Sequence, residues 1–303
     1  MSDSTADLRR KIGGAKDLQS VVRTMKAVAA SSIGQYEKSV TALNEYYHTV
    51  ELGLGVCFRK NGTLNLAIAR NSKAVSRKIL AVVFGSDQGL VGQFNDLVAD
   101  YAIKELAALS TKSQAPKAEI WAVGARVHAR LTDSKLPLSG QFPVPNSVKA
   151  ITPLVERILV ETAKNERTDD VISLYLFYNR PDAGVGYAPV SLQLLPLDET
   201  WQNTVTELPW PTRKLPEIIG DQTETLRAFI RGYLFVSVFQ ACAESLAAEN
   251  ASRLASMQRA EKNINDLLED LNGKFHRQRQ SGIDEELFDV ISSYEALNGE
   301  EMR

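Results

Sequence analysis

The chain is poor in cysteine, since Cys57 and Cys242 are the only two in 303 residues. Two cysteines do not make the multi-disulfide framework of small secreted domains, so a reducing compartment is expected. No run of about 18 apolar residues occurs, so no membrane-spanning helix is predicted. The opening segment, MSDSTADLRRKI, lacks the apolar core of a signal peptide, so no secretory signal is expected.

Excess charge and catalytic motifs are absent as well. The formal net charge is -2 and the sequence pI is near 6.0, which argues against bulk binding to nucleic acid. The three histidines stand alone, without a cysteine or second histidine at ligand spacing, so a metal site is not expected. No Ser–His–Asp or Cys–His signature is present. We therefore expect no cofactor and no catalytic residue.

The two ends of the chain carry long apolar seams with alternating three- and four-residue steps. Such a seam is what one helix needs to wind around another, and folding the ends together as an antiparallel pair would bury both seams. A different kind of sequence lies between the two seams. The predicted seam residues are Leu8, Ile12, Ala15, Leu18, Val22, Met25, Ala29, Ile33, Tyr36, Val40, Leu43, Tyr47, Val50 and Leu54, and then Met257, Ile264, Leu267, Leu271, Phe275, Leu287, Val290, Tyr294 and Leu297.

Between the ends, strands alternate with helices. Continuous apolar runs at 79–84, 119–123 and 171–178 predict strands buried on both faces, and 190–197 predicts a fourth strand. A proline-rich linker at 208–211 follows. The fold class is therefore α/β: a long antiparallel coiled coil of the N- and C-terminal helices plus a central Rossmann-like α/β domain. The expected domains are a shaft at 1–58 and 213–303 and an α/β domain at 77–210.

A glycine-rich turn at 85–95 lies between a predicted strand and a predicted helix, where phosphate sites often occur. Its spacing fits neither G-x-G-x-x-G nor the P-loop, and it contains no lysine to reach a phosphate. We favour a tight turn that packs against the long helices over a nucleotide site.

Two segments in the long helices offer donors to a partner. Arg23 and Lys26 either form a solvated basic face or meet an acidic partner surface. Arg279 and Gln280 are either solvated or recognise carboxylates or backbone on a partner.

Taken together, these segments resemble the gamma subunit of the rotary F-type ATP synthase. The resemblance rests on ordered matches at both ends and at the glycine-rich turn, and it covers most of the diagnostic sequence. The matching segments are LRRKI at 8–12, MKAVAAS at 25–31, GSDQGLVG at 85–92 and SLAAENASR at 245–253, followed by Met257, Lys262, Asn263, Arg279, Gln280, Ile283, Glu286, Leu287 and EAL at 295–297.

The chain also departs from the family pattern. Gln88 stands where the family usually has arginine, Val91 where it has cysteine, Ala27 where it has methionine and Asp284 where it has threonine. The basic cluster after the first signature is thin, since SIGQ stands at 32–35. These departures suggest a divergent branch, such as an alternate ATPase carried beside a housekeeping enzyme.

The resemblance implies a non-catalytic central shaft that couples ion flow through the membrane sector to ATP synthesis or hydrolysis in an alpha/beta hexamer. The implied partners are the alpha, beta and epsilon subunits and the c-ring, on the cytoplasmic face of a bacterial plasma membrane. The implied contact residues are Arg23, Met25, Lys26, Asp87, Gln88, Arg279 and Gln280. The alternatives are a structural coiled-coil adaptor with a protein-binding α/β domain and, more distantly, an enzyme with a site at Asp87 and Asn95.

Overall fold

The structure is a computed structural model that describes residues 4–61, 77–113, 118–134, 136–165, 171–182 and 186–300. The polar segment 59–76, for which the sequence predicts a loop, lies mostly outside these residues.

Two long helices begin and end the described chain: α1 at Thr5–Asn61 and α6 at Gln222–Glu300. Ser4 caps α1, because its Oγ accepts a hydrogen bond from the backbone N–H of Asp7 at 3.2 Å. α1 is helical across Gly13 and Gly14, although glycine is unfavourable in the interior of a helix. Buried Leu8 and Ala15 hold the helix on either side of them.

A five-stranded sheet lies between these helices in the sequence. Its strands are β1 (Arg77–Phe84), β2 (Ala118–Val123), β3 (Leu138–Phe142), β4 (Val171–Asp182) and β5 (Gly186–Leu195), in the order β3-β2-β1-β4-β5. The first four strands are parallel and β5 pairs antiparallel to β4. Helices α2 (Phe94–Ser113), α3 (Ala125–Asp133), α4 (Val148–Asn165) and α5 (Glu199–Glu207) complete the domain. The Rossmann-like prediction is confirmed.

Two elements escaped the sequence analysis. Strand β3 has the sequence LSGQF, and a Cβ at its Gly140 would lie 2.4 Å from the Trp121 ring of the neighbouring strand. Tertiary pairing therefore makes this strand, rather than local apolarity. Helix α5 is started by Asp198, whose carboxylate accepts the backbone N–H of Trp201 at 3.1 Å.

The chain packs as two compact units. The first contains 1–28 and 254–303, and the second contains 29–253. By packing, the inner parts of both long helices thus belong with the α/β domain. The functional division into a shaft at 1–58 and 213–303 and a domain at 77–210 stays a prediction.

In the second unit, the inner parts of α1 and α6 lie against one face of the sheet. One buried cluster joins α1 residues such as Leu54, β1 residues such as Leu80 and α6 residues such as Val238. A second cluster, with Val83 and Val98, fills the space between the sheet and α2 and α3. The sheet is therefore covered on both faces, as a parallel sheet requires.

In the first unit, the outer parts of α1 and α6 run antiparallel. Arg9 lies 5.8 Å from the Phe275 ring centroid, and Gln19 Nε2 donates to Asn265 Oδ1 at 2.5 Å. The seam predicted at Leu18 and Leu267 is wrong by one residue on each helix, because these side chains are 59% and 48% exposed.

One helix among the described residues, α6, is long and apolar enough to satisfy the criteria for a membrane span over Gln222–Ser293. Its most apolar window reaches a mean hydropathy of 1.2, but 56% of that window is buried within the protein. More than half of this most apolar window is therefore buried within the protein.

Candidate partner-contact surfaces

Arg23 and Lys26, one turn apart on α1, both face Glu261 of α6. Arg23 Nε donates to Glu261 Oε1 at 2.9 Å, and Lys26 Nζ donates to Glu261 Oε2 at 2.5 Å. The Glu261 side chain is 17% exposed, against 58% for Arg23 and 36% for Lys26. Hydrogen bonds from Lys26 and then Arg23 hold the pKa of Glu261 below its ordinary value. The two cations have donors to spare for a partner, but an internal carboxylate already binds them.

The other contact residues predicted in the first unit differ in exposure. Met25 is half-buried beside this ion pair, and Arg279 and Gln280 are exposed. Glu261 and Arg279 are 18 positions apart on one helix, which corresponds to about 27 Å along its axis. The predicted contacts of this unit therefore form two separate surfaces.

Asp87 of the glycine-rich turn holds two neighbouring segments in place. Its Oδ1 accepts the backbone N–H of Ala125 at the start of α3, and its Oδ2 accepts the backbone N–H of Val144, each at 2.8 Å. Gln88 is exposed, and its carbonyl accepts the Ser86 hydroxyl at 2.8 Å. Asp87 thus positions the turn, and Gln88 is the side chain of this pair that points to solvent.

The crevice where related folds bind nucleotides is filled by the chain itself. The strand order reverses beside β1, so the turn after β1 lies at the switch point where such ligands bind. There, Asn95 Oδ1 accepts Ser86 N–H at 2.9 Å and Asn95 Nδ2 donates to Ser86 Oγ at 2.8 Å. A Cβ at Gly85 would lie 2.3 Å from Val127 Cβ, so the backbone is already in close contact. The turn is therefore closely packed at Gly85, and the Ser86 donors are used within the chain.

The turn instead packs on α6, as the sequence analysis favoured. Val91 forms a buried cluster with Phe94 and Ala248, and Tyr187 packs against it. The Ser252 hydroxyl of α6 donates to the Val91 carbonyl at 2.5 Å. The turn therefore contacts the long helix through Val91.

Next to this contact, α6 carries a buried ion pair. Arg253 Nη2 donates to Glu249 Oε1 at 2.6 Å, and the two side chains are 13% and 7% exposed. Burial raises the pKa of Glu249 above its ordinary value, although Arg253 opposes the shift. Burial also raises the pKa of neighbouring Tyr36 and Cys242. Both cysteines are buried.

Glu261, which binds two of the predicted contact residues, is a residue that the sequence analysis missed. A carboxylate facing two cations would have been a clear signal, but recognising it requires the register between two helices more than 230 positions apart in the chain. The polar pair Gln19–Asn265 was missed for the same reason.

No metal or nucleotide centre stands out in this part of the molecule. Across the residues with described structure, no group of three or more His, Cys, Asp or Glu side chains could hold a metal ion. The described architecture is a Rossmann-like domain together with long terminal helices.

Comparison with known proteins agrees with that architecture. The family profile described as ATP synthase matches residues 4–297. ATP synthase gamma chains from Hyphomonas neptunium and Paracoccus denitrificans are each 26% identical, with 97% of this chain and 99% of the relative covered. The chain therefore belongs to the gamma-chain family of ATP synthases.

Solved structures show the same fold. A chain from the Euglena gracilis mitochondrial ATP synthase (OSCP/F1/c-ring) matches with a TM-score of 0.57 at 16% identity, covering 97% of this chain and 95% of that chain. A chain from the Tetrahymena thermophila mitochondrial ATP synthase (central stalk/c-ring) matches with a TM-score of 0.55 at 20% identity, covering 79% and 99%.

Proposed function

We propose that this chain is the central rotary shaft of an F-type ATP synthase. As a non-catalytic subunit, it couples ion flow through the membrane sector to ATP synthesis or hydrolysis in an alpha/beta hexamer. The observation that supports this most strongly is the family match over 4–297, which includes both paired terminal helices. Coupling requires that each hexamer state interact differently with each shaft angle. A pair of helices can transmit torque because it is stiffer than one helix.

The partners follow from this role. The outer parts of α1 and α6 would lie inside the alpha/beta hexamer, and the α/β domain would face the epsilon subunit and the c-ring. The protein would act as a peripheral part of a membrane-associated complex. The finer location we propose is the cytoplasmic face of a bacterial plasma membrane.

Individual contact residues are assigned by the resemblance and by exposure. Arg279 and Gln280 would bind a loop of the hexamer, and both are exposed on α6. Arg23, Met25 and Lys26 would lie near an acidic segment of beta. Gln88 would contact a partner directly, and Asp87 would hold the turn that presents it.

Reconstitution tests the proposal as a whole. Alpha and beta subunits from the same source are mixed with and without this chain, and assembly and ATP hydrolysis are followed. We expect one copy of this chain per hexamer and activity that depends on it. A competent hexamer that fails to bind the chain would overturn the shaft assignment and favour the adaptor.

Replacing Arg279 and Gln280 by alanine tests the assigned contact. Coupled ATPase activity should fall, because the donors to the hexamer loop are lost, while assembly and helix content stay unchanged. The matched control is Arg277→Ala with Gln278→Ala, which removes the same residue types two positions earlier on the helix. Unchanged activity in an assembled Arg279→Ala/Gln280→Ala complex, or an equal loss in the control, would contradict the assignment.

A further inference from the structure

Leu90 in the glycine-rich turn has an unusual backbone conformation. Its φ is 64°, in the left-handed region, and within the described ranges it is the one residue other than glycine with a positive φ. In this region the Cβ crowds the following carbonyl oxygen, which disfavours leucine. Gly92, two positions later, takes a φ of 56° without a Cβ. Leucine at position 90 therefore carries backbone strain that glycine avoids and asparagine tolerates better.

The turn is fixed on both sides of Leu90 by contacts that do not use the leucine side chain. Before it, the Asp87 carboxylate accepts two backbone N–H groups, each at 2.8 Å. After it, Val91 is buried, and its carbonyl accepts the Ser252 hydroxyl at 2.5 Å. Leu90 itself is 61% exposed and belongs to none of the buried clusters. Packing within the chain therefore accounts for the backbone of the turn but not for a leucine at this position.

The surface around Leu90 combines an apolar side chain with a cation. A Cβ at Gly89 would lie 3.7 Å from Arg126 Nη2, and the Arg126 side chain is exposed. No ion pair involves Arg126 within the part of the chain that the structure describes. An apolar side chain on a rigid turn loses little conformational freedom when it binds a partner. The complementary surface is an apolar cavity bordered by a carboxylate.

The place of the turn along α6 indicates which partner carries that surface. The turn packs on α6 at Ala248 and Ser252, and two positions beyond Ser252 the helix enters the first unit. Under the proposed function, that part of α6 lies inside the alpha/beta hexamer, so this inference rests on the proposed function. We propose that Leu90 is an anchor that inserts into an apolar, acid-bordered cavity of the alpha/beta hexamer, and that the backbone strain at this position serves that contact.

Thiol labelling of the full-length chain tests where Leu90 lies in the complex. Leu90→Cys is labelled with a maleimide, alone and after assembly with alpha and beta subunits, and the two native cysteines are buried. The introduced thiol should react at least about tenfold more slowly in the complex. Leu215→Cys, at a leucine that is 50% exposed between α5 and α6, should react equally fast in both states. Equal rates for Leu90→Cys in an assembled complex would overturn the anchor alone, whereas a parent chain that does not assemble would overturn the proposed function.

Leu90→Asn separates binding from folding. Asparagine suits the left-handed backbone, so the urea midpoint of the isolated chain should stay the same or rise. The chain concentration that half-maximally activates ATP hydrolysis by alpha and beta subunits should rise about tenfold, because the apolar contact is lost. Leu90→Met keeps an apolar side chain and should behave like the parent, as should Leu215→Asn. The proposal is wrong if Leu90→Asn lowers the urea midpoint, since the leucine would then serve the fold, or if it leaves the half-maximal concentration unchanged.

Discussion

Two glutamates of α6 have pKa values shifted in opposite directions by their surroundings. Glu249 is buried, and loss of water raises its pKa, with Arg253 lowering it and Asp87 adding to the rise. Tyr36 and Cys242 are the other titratable groups that face it. Glu261 is held by cations, and its pKa is lowered. The two residues should therefore affect stability in opposite ways as the pH changes.

Glu249→Gln removes the carboxyl group whose pKa is raised by burial. With the folded-state pKa above the ordinary value of 4.5, the native chain binds more protons than the unfolded chain, so the contribution of Glu249 to stability falls as the pH rises above 4.5. The stability of the parent relative to Glu249→Gln should therefore decrease from pH 4.5 towards neutrality. Urea unfolding at a series of pH values measures this difference.

Glu261→Gln is the matched control with the opposite sign. Because its folded-state pKa is lowered, Glu261 contributes stability above pH 4.5, and this contribution is lost as the pH falls through the lowered pKa. The parent should lose its advantage over Glu261→Gln only on acidification below 4.5. Identical pH profiles for the parent and both variants would show that neither environment acts as described.

At the residue level, the sequence identified side-chain chemistry but not pairing. Arg23 and Lys26 were predicted either to form a solvated basic face or to meet an acidic partner surface, and the carboxylate they meet in the structure belongs to the same chain. Spacing within one helix is readable from sequence, whereas the partner across a helix pair depends on the register between distant segments.

At the scale of elements, the glycine-rich turn is fixed by Asp87. Replacing Asp87 by alanine leaves the N–H groups of Ala125 and Val144 without their acceptor, so we expect a loss of about 1–3 kcal/mol in the free energy of unfolding. Gln88→Ala, at the exposed neighbour, should change stability by no more than about 0.5 kcal/mol. Urea unfolding of the two variants gives the comparison.

These two variants also separate positioning from direct contact. If Gln88→Ala destabilises the isolated chain as much as Asp87→Ala, the distinction between the two residues fails. In the assembled complex, only Gln88→Ala reports on a partner contact without a change in the fold of the turn.

Elements with strong local patterns were predicted well. The apolar runs that became β1, β2 and β4 and the long seams that became α1 and α6 are readable because burial on both faces, or along one stripe, marks the sequence directly. Strand β3 has no such run: it exists because it pairs with β2 and because Gly140 gives room to Trp121. Helix α5 begins a few residues after β5 ends, and the one signal for it in the sequence is its N-cap residue, Asp198.

At the scale of the whole molecule, the sequence predicted the class of fold and the antiparallel pairing of the ends, but not the extent of each compact unit. Heptad positions were one residue off at Leu18 and Leu267, because Gln19 and Leu268 occupy the inward positions instead. A seam predicted from the spacing of apolar residues leaves out any polar residue that lies in it.

The end of α6 carries exposed apolar side chains, and we expect them to promote self-association of the isolated chain. Every described side chain over 283–293 is exposed, and Leu287, Phe288 and Val290 are 56%, 69% and 65% exposed. Apolar residues grouped on an exposed surface promote association. Leu287→Ser with Phe288→Ser should therefore reduce self-association, measured by sedimentation velocity, with no change in thermal unfolding. Leu271→Ser is the control, since that side chain is buried and its replacement should lower the unfolding temperature. Equal self-association of the parent and the double variant would mean that this end of α6 does not drive it.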